Sequence, residues 1–157
     1  MKVVSGAYGR EVVHYEAPPS EIVAQQMQTF INWFSKDDFS HLDKISRAIV
    51  KSAIVHLYFE SIHPFEDGNG RIGRALADYT LSHTLRSTVL LSISKVIEKN
   101  KTQYYEALKD AQSSLDITDW IVYFGNIILA AQIDAKLLVE FTVKKVKYFD
   151  SFKELLN

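Results

Sequence analysis

His63-Pro64-Phe65-Glu66-Asp67-Gly68-Asn69-Gly70-Arg71-Ile72-Gly73-Arg74 gathers an imidazole, a carboxylate, an amide and two guanidiniums into one turn-length segment. Apolar helical patterns end before it and begin after it. The glycines flanking Asn69 allow backbone conformations closed to residues with a Cβ, so successive N–H groups can turn inward around an anion. Ile72, Ala75, Leu76 and Tyr79 recur at helical spacing, so a helix should begin near Gly70 and offer its unpaired first-turn amides to the same anion. Arg71 and Arg74, three apart, share a helix face from which planar forks can grip phosphate oxygens. Asp67 supplies a hard oxygen ligand, and magnesium sites need only one or two carboxylates when substrate phosphates complete the shell. His63, with an ordinary pKa of about 6.5, can accept a proton at neutral pH. A base, a metal ligand and an anion cradle together point to phosphoryl-type transfer from a nucleotide.

The segment resembles, position for position, the signature of the Fic domain family, His-Pro-Phe-x-Asp/Glu-Gly-Asn-Gly-Arg-x-x-Arg. The resemblance implies an all-α bundle of about six or seven helices with an N-terminal β-hairpin flap, in a single domain over 1–157. It implies a protein adenylyltransferase that moves AMP from ATP to a Ser, Thr or Tyr hydroxyl of a target protein and releases pyrophosphate. On that likeness His63 deprotonates the hydroxyl, and Asp67 holds Mg²⁺ between the α- and β-phosphates. Asn69 and the amides around Gly68 and Gly70 bind the α-phosphate, Arg71 the β-phosphate and Arg74 the γ-phosphate. Phe65 is expected to be buried as the anchor of the loop. A kinase-like branch of the family carries Lys where this chain has Gly70, so Gly70 favours AMP transfer. Transfer of another nucleotide or of a phosphate, and a non-catalytic nucleotide-binding or helical interaction domain, are the alternatives.

The chain of 157 residues is long enough for one domain with a real core. It contains no cysteine, which excludes a disulfide framework and fits a reducing cytoplasm. A formal net charge of -1 gives no reason to expect nucleic acid or an anionic membrane. The most apolar run, Ile121 to Ala131, is interrupted by Gly125 and Asn126 and falls short of the roughly 20 residues that span a bilayer. No signal peptide is visible, and a cytoplasmic location is the expectation.

Along the chain, Val3-Val4 and Val12-Val13-His14-Tyr15 are β-prone runs around a glycine-containing turn. The residues alone leave a hairpin and a frayed arm equally open. The resemblance makes residues 1–16 the flap, with Val12, Val13, His14 and Tyr15 as the edge that aligns a target chain by strand addition. Ser20 is the expected cap of a first helix with Val23, Met27, Phe30, Ile31 and Phe34 buried. Ser40 with Asp43 marks the next start, and Leu42, Ile45, Ile49, Ser52, His56 and Phe59 share a face. His41 and His56 lack partners at ligand spacing and read as surface or core residues. Thr88 to Ile93 reads as a buried connector, not a strand. Thr102 to Gln112 restores helical spacing through Tyr105, Leu108 and Ala111, with Tyr104 and Tyr105 as default core aromatics. By resemblance Tyr104 and Gln112 match positions that hold the adenosine. A long helix opens at Ile117 and runs to about Tyr148, ending in Lys144, Lys145 and Lys147, which suit a helix C-terminus.

Fic domains are commonly silenced by a helix carrying Ser/Thr-x-x-x-Glu-Gly/Asn, whose Glu pairs with the second motif arginine, here Arg74. Ser94 and Glu98 have the spacing, but Lys99 fails the last position, and Thr102 with Glu106 fails at Ala107. Either an inhibitory helix lies upstream and the chain is a fragment, or it belongs to a separate partner. The target protein and the oligomeric state are not written in the residues.

Overall fold

The computed structural model describes residues 2–5, 12–36, 39–89 and 91–153. Six helices are found among them: α1 (Ser20–Phe34), α2 (Lys44–Ile62), α3 (Asn69–Leu85), α4 (Ile93–Lys99), α5 (Lys101–Gln112) and α6 (Thr118–Lys153). Two short strands, β1 (Lys2–Ser5) and β2 (Val12–Glu16), pair antiparallel with Lys2 opposite Glu16 and Ser5 opposite Val12. The register slips between Val3 and Val4. The turn expected between these strands falls on residues 6–11, outside the described residues, and so do the side chains of Val12, Val13, His14 and Tyr15.

The centre of the fold is α2, which packs against α1, α3, α5 and α6. Its start is fixed by Asp43, whose carboxylate accepts from the N–H groups of Ile45 at 2.9 Å and Ser46 at 3.1 Å. These are donors that the first helical turn otherwise leaves unpaired. The cap is therefore Asp43 itself, and Ile45, which the spacing put on the inner face, is exposed. From Ala48 to Ile62 buried residues occur on nearly every side of α2, as expected of a helix enclosed by others. For α1 the N-cap is Pro19 without a side-chain bond, not Ser20, and Ile31 is exposed beside the buried Phe30.

The apolar spacing that announces α3 is not its buried face: Ile72 and Tyr79 are exposed, whereas Asn69, Gly73, Ala77, Thr80 and Leu81 are buried. Small residues on that side let α3 lie close to α2, where the Ser52 hydroxyl donates to the Ala77 carbonyl at 3.0 Å. Likewise α5 buries Tyr104, Leu108 and Ala111, and Tyr105 turns outward. Between α3 and α4 only Ile93 is buried among the described residues of the connector, and it already belongs to α4.

The first half of α6 closes the core with Trp120, Phe124, Ile127, Ile128 and Ala131. Gly125 does not interrupt it, because there the helix passes Ile49: an added Cβ would stand 3.3 Å from the Ile49 Cγ2. Trp120 donates from Nε1 to the Ala53 carbonyl at 2.8 Å. Replacing Trp120 by Phe is expected to lower stability by about 1 kcal/mol, the typical net value of a hydrogen bond, measured by denaturant unfolding. Beyond Ala135 every described residue of α6 is exposed, including Leu138, Phe141, Tyr148 and Phe149. By length and composition this helix is apolar enough to cross a membrane, although its first half is core. The interruption at Gly125 and Asn126 therefore does not shorten the apolar run as the sequence implied.

Candidate active site

The chain leaves α2 at His63, which takes a left-handed conformation with φ 48° and ψ 59° while its N–H still bonds the Phe59 carbonyl at 3.0 Å. Left-handed backbone is uncommon outside glycine, and the proline that follows removes the right-handed alternative. The turn places the imidazole at the edge of the loop, half-buried. Burial holds its pKa below the ordinary histidine value, with the neighbouring Glu60 carbonyl pulling the other way.

Asn69 shapes the loop. Only 3% exposed, it accepts from the Phe65 N–H at 3.0 Å and donates to the Phe65 carbonyl at 2.6 Å, so the main chain is stapled to the start of α3. Its side chain is thus engaged with the loop, and what it presents to an anion is its backbone N–H in the first helical turn. This staple anchors the loop in place of the Phe65 ring, which is 46% exposed and 6.4 Å from Phe59. Gly68 precedes the helix with φ 89°, a conformation that favours glycine.

The two guanidiniums lie over the two glycines. A Cβ on Gly68 would stand 3.4 Å from the Arg71 Nη2, and one on Gly70 would stand 3.0 Å from the Arg74 Nη1. Each fork therefore lies beside a glycine at the N-terminal end of α3, where free amides and the helix dipole already favour an anion. Arg71 Nη2 also donates to Asp67 Oδ2 at 2.8 Å, and Asp67 Oδ1 accepts from the Gly68 N–H at 2.7 Å. The Asp67–Arg71 pair is highly exposed and of little stabilising worth, so a ligand can separate it easily. Arg74 Nε donates to the Ser94 hydroxyl at 2.8 Å, so the serine on α4 holds the second fork.

No group of three or more His, Cys, Asp or Glu residues suited to a metal occurs among the described residues. The donor set fits a magnesium ion only as Asp67 can supply it, one carboxylate with the rest of the shell from phosphates and water. Tyr104 is 2% exposed, and its hydroxyl meets His56 Nε2 at 2.8 Å, so it is a residue of the core. Gln112 ends α5, partly exposed. His56 is core and His41 is on the surface, as their isolation in the sequence indicated.

Three neighbours of the site were not picked out as functional from the sequence: Ser94, Gly73 and Glu60. A glycine inside a helix is a signal of close packing, and Gly73 is such a case, with Glu60 and His56 of α2 directly against it. A cavity of about 670 Å³ lies elsewhere, between the far ends of α2 and α3, lined by Lys44, Lys51, Tyr79, His83 and Arg86 among others. The motif needs no such hollow, because an anion is held at a helix end by amides and forks rather than by enclosure. In that cavity Lys51 already donates to the Lys36 carbonyl at 2.8 Å.

The profile of the Fic/DOC family matches residues 2–81. A probable protein adenylyltransferase of Aquifex aeolicus is 30% identical over 129 residues, covering 72% of this chain and 36% of the relative. The protein adenylyltransferase fic-1 of Caenorhabditis elegans is 30% identical over 106 residues, covering 68% of this chain and 19% of that protein. The crystal structure of a Fic family protein from Desulfovibrio desulfuricans superposes with a TM-score of 0.69 at 29% identity, over 83% of this chain and 38% of that one. The chain therefore spans little more than a third of the Aquifex relative and less of the Caenorhabditis one. With the motif loop, its helix and the surrounding bundle all matched, the chain belongs to the Fic/DOC family.

Proposed function

We propose that the chain is a protein adenylyltransferase, transferring AMP from ATP to a Ser, Thr or Tyr hydroxyl of a target protein with release of pyrophosphate. The observation that carries this reading is the placing of the Arg71 and Arg74 forks beside Gly68 and Gly70 at the start of α3, with His63 at the end of α2 where the same loop begins. The names of the matched relatives support the same activity.

In this mechanism His63 takes the proton of the target hydroxyl as its oxygen attacks the α-phosphorus. The bond to the bridging oxygen of the β-phosphate breaks, and pyrophosphate leaves with that oxygen. The amides of Gly70 and its neighbours face the charge that grows on the α-phosphate, a preorganised donor set of the kind that dominates such barriers. Arg71 exchanges Asp67 for phosphate oxygens, and Arg74 receives the terminal phosphate. A magnesium ion, if held by Asp67, would neutralise charge on the phosphates. The strand pair at the N-terminus is the flap in this reading, with Val12 to Tyr15 aligning the target main chain. Gly70 disfavours the phosphate-transferring alternative, because a side chain at that position would displace the Arg74 fork.

The test is incubation of the purified chain with ATP labelled on the α-phosphate, magnesium and a cell lysate, beside His63→Ala. Labelled protein gaining the mass of AMP in the wild type alone supports the reading; a gain of phosphate, or equal labelling by the variant, refutes it. Because burial lowers the His63 pKa, the neutral base exists already below pH 6.5. At saturating ATP the rate should rise with pH through that lowered value and be level by about neutral pH. A rate still climbing above pH 8 would assign the base elsewhere.

A further inference from the structure

Arg74 is held through one of its donors. Its Nε donates to the Ser94 Oγ at 2.8 Å, and among the described residues its other two nitrogens have no hydrogen-bond partner and no carboxylate forms an ion pair with it. The guanidinium is planar, so fixing Nε sets the direction of the whole fork. The remaining edge lies at the cradle: a Cβ on Gly70 would stand 3.0 Å from Nη1 and 3.6 Å from Nη2. Arg71 differs, since its Nη2 is already bonded to Asp67.

Ser94 suits this task because its own place is fixed. It is the second residue of α4, next to the buried Ile93 and three before the buried Ile97. The Ser92 hydroxyl accepts from the Lys95 N–H at 3.3 Å and caps the same turn. Lys99 and Lys95 reach Asp134 of α6 at 2.7 and 3.6 Å, which ties α4 to the helix that closes the core. Glu98, one turn beyond Ser94, pairs with Lys101 at 2.8 Å and not with Arg74. The acceptor at Nε is therefore an uncharged hydroxyl, which orients the guanidinium and leaves its positive charge for an anion.

We propose that Ser94 is a positioning residue that presets the Arg74 fork for the terminal phosphate of a nucleoside triphosphate, so that this chain prefers ATP to ADP. The inference rests on the reading of the cradle as a nucleotide site. A long side chain that is ordered before its ligand arrives does not lose that freedom on binding. Held by Ser94, Arg74 meets the phosphate with both Nη groups already beside Gly70. Removing the hydroxyl takes away nothing assigned to the α- or β-phosphate, so the effect is confined to ligands that carry a third phosphate. The chemical step, which falls to His63 and the amides at the start of α3, is untouched.

The test measures Kd for ATP and for ADP, each with magnesium, on the full chain, on Ser94→Ala, Ser94→Thr and Arg74→Ala, and on the variant carrying both alanines. The wild type should bind ATP more tightly than ADP. Ser94→Ala should raise the ATP Kd by about 2- to 10-fold, the usual effect of having to order one long side chain, and leave the ADP Kd unchanged. Ser94→Thr keeps the hydroxyl and should bind ATP as the wild type does. In the Arg74→Ala background, Ser94→Ala should have no further effect on ATP, because a residue that acts through Arg74 is silent without it. Several results would overturn the inference: an ATP Kd unmoved in Ser94→Ala, a shift shared by ATP and ADP, a Thr variant as weak as the Ala one, or an effect that persists without Arg74. So would a wild type that binds both nucleotides equally. In each of these cases nucleotide binding itself still stands. Failure of the wild type to bind either nucleotide would instead overturn the reading of the cradle together with the inference.

Discussion

Replacement of His63 by Ala is expected to lower AMP transfer by at least about 10²-fold, and by up to about 10⁴-fold, while ATP affinity changes little. The asymmetry follows from where the imidazole stands. It leaves α2 through a left-handed turn at the margin of the loop, whereas the amides and guanidiniums that would grip the triphosphate belong to the N-cap and first two turns of α3. Removing a base from that margin subtracts from the transition state and not from ground-state binding, so kcat should fall and Kd should hold. Arg74→Ala should behave in the opposite way. It takes one fork from the cradle, and labelling should be lost through weakened ATP binding. Initial rates over a range of ATP concentrations, together with a direct binding isotherm, separate the two patterns. If Arg74→Ala instead raises activity, a group on this chain blocks the site through Arg74.

Gly73→Ala should destabilise the fold by about 2 kcal/mol. Ordinarily such a change inside a helix gains up to about 1 kcal/mol in helix propensity. Here the new methyl would enter the space of Glu60 Oε1 and press on His56 Nδ1, both enclosed between α2 and α3. Glu60 ends a flexible side chain, but it is packed on all sides and cannot swing to solvent without opening the helix pair. Overpacking of this kind typically loses about 1–3 kcal/mol, which exceeds the gain from propensity. Denaturant midpoints would show the loss, and Gly73→Ala combined with Glu60→Ala should recover much of it, since the two sites are in contact and should not be additive. A single variant as stable as the wild type would mean that α2 and α3 stand farther apart than described.

The loop was legible in the sequence because its chemistry is concentrated in consecutive residues. The motif forms the connection between α2 and α3, and α3 begins at Asn69, one residue from the expected start. What was not legible depended on tertiary partners. Ile72 and Tyr79 carry the helical period of α3, yet the buried face is the one with Gly73 and Ala77, because close approach to α2 selects small side chains over apolar ones. Phe65 was expected inside from the family resemblance, but Asn69 supplies the fixation through two hydrogen bonds to the main chain. Tyr104 is the core aromatic that its place in the helical spacing indicated, with its hydroxyl satisfied by His56, 48 residues earlier. The exposed Asp67–Arg71 pair forms because four residues along a loop and a first helical turn bring the two ends together.

The interlocking of α2 and α3 has a consequence for adaptability. Ser52 is bonded to the Ala77 carbonyl and Glu60 rests on Gly73, so the helix that ends in the imidazole and the helix that begins with the cradle move as one piece. The gap a substrate must fit is thereby set at folding. Accommodation of differently shaped clients has to come from parts hung on this rigid frame, and a sequence that drifts at its periphery can change what it modifies without disturbing how.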